Sequence, residues 1–288
     1  MNYDSPLNKF SENLRNSLNN NVNGLYVKPP TSLVGKFTFL LIVLFIFIIL
    51  LRLGISFMSW LLKPSTSPKL INGMIDAKNM IMFPQDPTSS NAVPINRSVN
   101  ETNGVEFTWS VWVFIDNLQY LSGQYRHIFH KGNDQLTDTG LNFPNNAPGL
   151  YISPNTNALV VIMNTFNDIN QEVVVPNIPL NKWLNVIIRC QNDKLDIYIN
   201  GTITKSIQLN GVPKQNYGDV FVAMNGGFDG FISNLWYYNY ALGTTAISNL
   251  VNSGPNLKMY GANSISNTLS KYLSLRWYFT GTQDAYNP

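Results

Sequence analysis

Cysteine is almost absent from this 288-residue chain: Cys190 stands alone. A single thiol excludes an intrachain disulfide framework and a four-cysteine zinc site. It leaves the redox compartment open, because a chain this long builds its core without staples. Charge is scarce too, at 12% of residues with a formal net of +3. That excludes a highly charged disordered tail and a strongly basic nucleic-acid binder, so nucleic acid is not an expected partner. Uncharged polar residues take the place of the charges, asparagine alone supplying about 40. Glutamate is limited to Glu12, Glu101, Glu106 and Glu172, and histidine to His127 and His130. The length allows one large or two modest domains.

One long apolar run is present. From Phe37 to Leu51 the chain reads FTFLLIVLFIFIILL, with Thr38 its only polar side chain, and after Arg52 the apolar character resumes past Trp60 to Leu62. As a helix the stretch measures roughly 39 Å at ~1.5 Å per residue, enough to cross a hydrocarbon core of about 30 Å with some tilt. The run therefore reads as a transmembrane helix over residues 37–62, with the lipid bilayer as a partner. Arg52 lies far enough along for its stem to snorkel toward headgroups near Trp60 and Lys63. A cleaved signal peptide fits poorly, since the exit LLKPSTSP offers no small-x-small site. A run apolar on every face is also too uniform for a buried helix of a soluble domain. Lys28 and Lys36 precede the run and Lys63, Lys69 and Lys78 follow it, which leans faintly toward a cytosolic C-terminal side. Sequons at Asn96, Asn100 and Asn200 matter only if that side is luminal.

Residues 1–36 are a polar, Asn-rich tail, with one apolar stripe (Leu7, Phe10, Leu14, Leu18) at helical spacing. Residues 63–94 carry Pro64, Pro68, Pro84, Pro87 and Pro94 and read as a linker that adds a strand or two around Asn79 to Phe83. Beyond them, short aromatic and β-branched runs recur between Gly, Pro, Asn and Asp. They cover Phe107 to Ile115, Arg126 to His130, Gly149 to Ile152, Ala158 to Phe166, Glu172 to Val175, Leu184 to Cys190, Lys194 to Ile199, Thr202 to Leu209, Val220 to Met224 and Gly230 to Tyr238. This spacing predicts an all-β, two-sheet antiparallel sandwich. Asn200-Gly201 suits a type I′ hairpin and Asn192-Asp193 another tight turn, so Leu184 to Leu209 reads as a meander. Thr244 to Asn252, and Asn267 to Trp277, have helical character.

The strings FTWSVWVFID, RHIFHKG, PLNKWLNVIIRCQNDKLDIYINGTI and DVFVAMNGGFDGFISNLWYYNYAL resemble the laminin G-like branch of the concanavalin A-like lectin/glucanase superfamily. The resemblance covers about Ile95 to Ser253. Its most specific parts are Trp183 leading a strand, the Leu195-x-x-Tyr198-x-x-Gly201 hairpin, and Phe228-x-Gly230-x-Ile232 running into Tyr240-Ala241-Leu242. It implies a jelly roll of two curved sheets over 95–253, followed by a C-terminal extension, 254–288, packing on or extending the sandwich. The fuller string RSVNETNGVEFTWSVW, a late YLSLRWYF and the N-terminal anchor are also similar to membrane-anchored members carried by large DNA viruses of algae and protists.

The glucanases of that superfamily carry Glu residues in an E-x-D-x-x-E strand pattern, because acid and nucleophile must flank the scissile bond about 5 Å apart. None of the four glutamates here has a second carboxylate so spaced. Asp193 and Asp196 are three apart, which on a strand means opposite faces. The same parity separates His127 from His130 and predicts structural roles for both. Asn225-Gly226-Gly227 lacks a following Lys-Ser/Thr and reads as a loop. No cofactor is expected and the chain is read as a non-enzyme. Calcium is the one ion the resemblance implies, at a loop edge, with Asp219 and Asp229 as the nearest carboxylates. Against it, Ile232-Ser233-Asn234-Leu235 stands where the family often has Ile-Asp-Glu-Val. Trp109, Trp112, Trp183, Trp236 and Tyr198 lie on strands where alternate residues face inward, and most of them read as core. Tyr237, Tyr238 and Tyr240 offer a stacking surface for a sugar ring or a protein.

The resemblance implies a structural protein of a large DNA virus particle, anchored in the internal membrane, with the jelly roll facing and linking to capsid proteins. The alternative is a membrane-anchored module for glycan or protein recognition at a cell or virion surface.

Overall fold

The computed structural model describes residues 32–61, 63, 65–98, 101–102 and 104–260. The stripe from Leu7 to Leu18, Leu62, the sequon at Asn100 and the stretch from Asn267 to Trp277 lie outside the described residues. The chain forms two units, Met1–Lys63 and Pro64–Pro288.

The first unit holds helix α1, Leu33–Leu61. It starts ahead of the apolar run because Ser32 caps it: the Gly35 amide donates to Ser32 Oγ at 3.0 Å and the Lys36 amide to Ser32 O at 3.0 Å. Thr38 turns its hydroxyl back onto the Val34 carbonyl at 3.0 Å, leaving no unmet donor in an otherwise apolar turn. With 29 residues, none buried, α1 is about 44 Å long at ~1.5 Å per residue. It is long and apolar enough to cross a membrane.

The second unit is a sandwich of two six-stranded antiparallel sheets. In order across it, sheet one runs β1 (Met74–Asp76), β12 (Gly230–Tyr238), β3 (Glu106–Ile115), β8 (Trp183–Gln191), β9 (Lys194–Ile199), β10 (Thr202–Gln208). Sheet two runs β2 (Ile81–Phe83), β11 (Asp219–Val222), β4 (Arg126–Gly132), β5 (Gly149–Ile152), β6 (Ala158–Met163), β7 (Gln171–Pro176). Helix α2, Thr244–Ser253, supplies Ile247 to an outer cluster with Ile187 and Leu242.

Strand parity builds the core. Phe107, Trp109, Val111, Val113 and Ile115 alternate along β3 into the space between the sheets, where they meet Ile128 and Phe129 of β4 and Leu184, Val186 and Ile188 of β8. Each such side chain removed from water contributes roughly 1.5–3 kcal/mol before entropy is counted. Asn200 and Gly201 both take positive φ, 48° and 81°, as a type I′ turn requires. Seven of the nine described non-glycine residues with positive φ are asparagines, which gives part of the asparagine excess a conformational cause.

Two expectations need revision. The Pro-rich segment 63–94 is more than a linker: β1 and β2 are edge strands of opposite sheets, and Leu70, Ile71, Ile75 and Phe83 are buried in the main core. Trp183 is not buried. Inward-facing Leu184, Val186 and Ile188 put it on the outer side of β8, where its half-buried ring tilts against Phe114 with centroids 5.5 Å apart.

Residues 254–260 run back along β1. The Met74 amide donates to Lys258 O at 2.7 Å and the Tyr260 amide to Met74 O at 2.8 Å.

Candidate functional site

A cleft of about 320 Å3 opens between the sheets at one end of the sandwich. Phe107 and Trp109 of β3 and Tyr237 of β12 form its apolar wall, Lys131 of β4 enters from the other sheet, and residues 85–86, 94–97 and 214–217 make its sides. Trp109 is wedged between Phe129, centroids 5.1 Å apart, and Tyr237, 4.9 Å.

The side loops are pinned by side chains. Gln85 Nε2 donates to Phe83 O (3.2 Å) and Val93 O (3.0 Å), its Oε1 accepts from the Ile95 amide (2.9 Å), and its own amide donates to Asp219 Oδ1 (2.8 Å). The Tyr237 hydroxyl donates to Asn96 O at 2.8 Å. Arg97 joins the two loops, giving Nε to Gln215 Oε1 at 2.8 Å and Nη1 to the Tyr217 hydroxyl at 3.2 Å. Gly218 lets the 214–217 loop close onto β4, since a Cβ there would lie 2.1 Å from Gly132 O.

Lys131 is the unusual member. Phe129 and Lys131 share the inner face of β4, so the lysine stem follows the core and its ammonium ends at the cleft. There Nζ donates to Gly218 O (2.6 Å), Asn216 O (3.0 Å) and Asn216 Oδ1 (3.4 Å). The side chain is 8% exposed and has no carboxylate ion pair among the described residues. Burial lowers its pKa to about 8, against an opposing pull from Asp219. The one carboxylate lining the cleft, Asp86, accepts instead from Thr88, at 2.9 Å from the amide and 2.8 Å from the hydroxyl.

The expected tyrosine surface is split by parity. Tyr237 points into the sandwich and is buried, while Tyr238 and Tyr240 lie outside in a T-shaped pair with centroids 5.9 Å apart. Tyr238 packs beneath α2 and Tyr240 is exposed. Asp219 and Asp229 do not share a site. Asp219 is tied to the Gln85 amide, while Asp229 pairs with Lys78 and accepts from Asn117. Neither belongs to a group of three or more His, Cys, Asp or Glu side chains able to hold a metal ion among the described residues. Asp196 is held by Arg189 at 2.9 Å and by Ser206 Oγ at 2.6 Å, and Asp193 occupies the turn. Of the anchor residues, Phe37, Leu51, Arg52 and Trp60 are exposed along α1.

The histidines correct the parity argument. A bulge between His127 and Phe129 turns both Ile128 and Phe129 inward and puts both rings on the outer face of sheet two. His127 Nε2 meets His130 Nδ1 at 2.6 Å in a buried pair.

Residues 87–248 match the family model for the concanavalin A-like lectin/glucanases superfamily, described as Laminin_G_3. The chain belongs to this family. No curated protein matches the chain. Solved structures with similar folds include the receptor-binding domain of botulinum neurotoxin C/D mosaic serotype, at 16% identity and TM-score 0.41, covering 52% of this chain and 36% of that one. The binding domain of serotype G has 16% identity and TM-score 0.40, with 62% and 46% covered. The ligand-binding domain of serotype D in complex with N-acetylneuraminic acid has 14% identity and TM-score 0.42, with 65% and 42% covered. The chain thus spans under half the length of these structures, and no functional argument rests on them.

Sequence reasoning missed the cleft. Its charged residues stand at positions 86, 97, 131 and 214, in loops or at a strand end, where no periodicity marks them. The only signal available was the aromatic inner face of β3 and β12.

Proposed function

We propose that the chain is a membrane-tethered, non-catalytic recognition module: α1 anchors it and the sandwich offers its inter-sheet cleft to a ligand. The cleft carries this reading. It combines an aromatic wall, amide and cationic sides and a single carboxylate, Asp86, already engaged by Thr88. A hydrolytic glycosidase site needs two carboxyl groups flanking the bond, and a recognition site needs an apolar wall with a few fixed polar groups.

A finer form of the reading makes the module a structural part of a large DNA virus particle, linking the internal membrane to capsid proteins. It draws on the resemblance to viral members, and the outer edge of β10 supports a protein partner. That strand pairs only with β9, and its residues are exposed apart from half-buried Ile207.

The full chain in detergent micelles, offered to a glycan array and to capsid protein, tests both forms. Ligand capture without turnover, lost in Ala147→Phe, which adds a ring to the cleft, supports the cleft reading. Capsid capture that survives Ala147→Phe and is lost in Thr204→Pro supports the edge reading. Release of reducing ends from a bound glycan would overturn the non-catalytic assignment.

A further inference from the structure

We propose that the cleft takes a small organic anion in which a carboxylate or phosphate lies next to one flat apolar ring. This rests on the cleft being the binding site argued above and adds the chemical class of its ligand. The charge balance of the lining is the first observation. Arg97, Lys131 and Lys214 all border the cleft, and none of them forms an ion pair with a carboxylate among the described residues. Arg97 is met by a neutral amide and a phenol. Lys214 lies over the Phe166 ring at 5.5 Å. Lys131 is surrounded by carbonyl oxygens.

A buried ammonium without a counter-charge is costly to keep, and an anion entering the cleft relieves that cost. Arg97 uses Nε and Nη1 on Gln215 and Tyr217, so the other edge of its guanidinium remains to face a ligand. A planar fork of this kind suits a carboxylate or a phosphate. The wall supplies the second half of the ligand. Phe107, Trp109 and Tyr237 are buried and back the wall, while Tyr217, which also lines the cleft, is exposed and offers its ring face for stacking. The volume, about 320 Å3, is at the small end of ligand sites, roughly 300–1,000 Å3. One ring with its anionic substituent therefore matches the space better than a long chain.

Calorimetric titration of the full chain in detergent micelles tests this with phenyl phosphate, benzoate and benzyl alcohol, at low and high salt. At least one anion is expected to bind tenfold or more tightly than benzyl alcohol, with the advantage shrinking at high salt. The stronger of the two anions distinguishes a phosphate from a carboxylate ligand. The double variant Arg97→Gln/Lys214→Gln should lose tenfold or more in affinity for the anions and much less in affinity for benzyl alcohol, so that the preference for an anion over the neutral probe falls. Equal binding of the neutral probe and both anions would overturn the anion inference and leave the cleft reading standing. Anion binding untouched by the double variant would also overturn it. Binding of none of the three would overturn both.

Discussion

His127 and His130, three residues apart on β4, touch ring to ring, Nε2 to Nδ1 at 2.6 Å. The Met224 amide donates to His127 Nδ1 at 3.0 Å, and His130 Nε2 reaches Asn133 O at 2.7 Å. An amide can only donate and a carbonyl can only accept, so the chain has one direction. Both rings are neutral and carry their proton on Nε2. A second proton on His127 would go on the nitrogen that the Met224 amide occupies. One on His130 would face the His127 N–H.

Acid stability follows from this arrangement. Burial lowers His130 to about 4, and burial together with the His130 charge holds His127 well below its usual value. Below about pH 6.5 the unfolded chain takes up two protons that the folded chain refuses, so stability is present above that pH and is lost as pH falls. For His130 alone the loss between pH 8 and pH 5 is about 2 kcal/mol, and His127 adds to it in the same direction. Denaturant titrations at the two pH values check it. A His130→Gln variant with the same pH slope as the wild type would refute the assignment.

Two tryptophans of similar sequence context should separate in cost. Trp109 is buried at the centre of the core, and Trp109→Ala should destabilise the sandwich by roughly 3–5 kcal/mol. Trp183 lies half-buried on the outer side of β8, and Trp183→Ala should cost about 1–2 kcal/mol, chiefly its ring contact with Phe114. Thermal or urea unfolding of both variants in the Pro64–Pro288 unit reads the difference. The fragment must include Leu70 and Ile71, which are buried, so one starting at Asn72 would be weakened before any mutation.

The strands were legible because alternation and turn residues obey local rules. Gly149–Ile152, Lys194–Ile199 and Gly230–Tyr238 have the same ends in the structure as in the sequence reading, and Asn200-Gly201 turns as its residue types demand. The histidine pair was not legible. One extra residue at a bulge resets the parity of everything beyond it, and RHIFHKG carries no mark of where that happens. Lys131, in the same string, looks like any surface lysine until Gly218 and Asn216 close over it. Within 63–94 the strand read around Asn79 to Phe83 is β2, whereas β1 went unread because it is only three residues long, too short for period-two patterning to register.

Cys190 should be inert. Its thiol is buried at the inner face of β8 and donates to Asn192 O at 3.4 Å. Burial pushes its pKa up to about 12, with nearby Asp193 adding to the shift. Reaction with a disulfide reagent at pH 8 should be on the order of a hundredfold slower in the folded chain than in denaturant. Comparable rates in the two states would show that the strand opens readily.

The apolar exterior of α1 predicts extraction by detergent and not by alkaline carbonate. The flanking lysines predict a C-terminal sandwich on the cytosolic side, hence no glycan at Asn200, although that residue is exposed in its turn. Expression with native membranes and endoglycosidase digestion provides the check. A mobility shift removed by Asn200→Gln would put the sandwich on the luminal or outer side.

Lys131 predicts an alkaline signature of opposite sense to that of most buried groups. With its folded pKa lowered to about 8 from 10.5, the unfolded chain binds more protons between those values, so the lysine's contribution to stability becomes more favourable as pH rises through that window. Cys190, held protonated by burial, works against this above its ordinary pKa, so the lysine must be isolated by difference. The stability of the wild type minus that of Lys131→Met should rise by about 3 kcal/mol from pH 7.5 to pH 10.5. Ionic strength should change this little, because the ammonium is buried away from solvent ions. A flat difference across that range would mean that the ammonium is fully compensated where it lies, and the charge argument for an anion in the cleft would lose its main support.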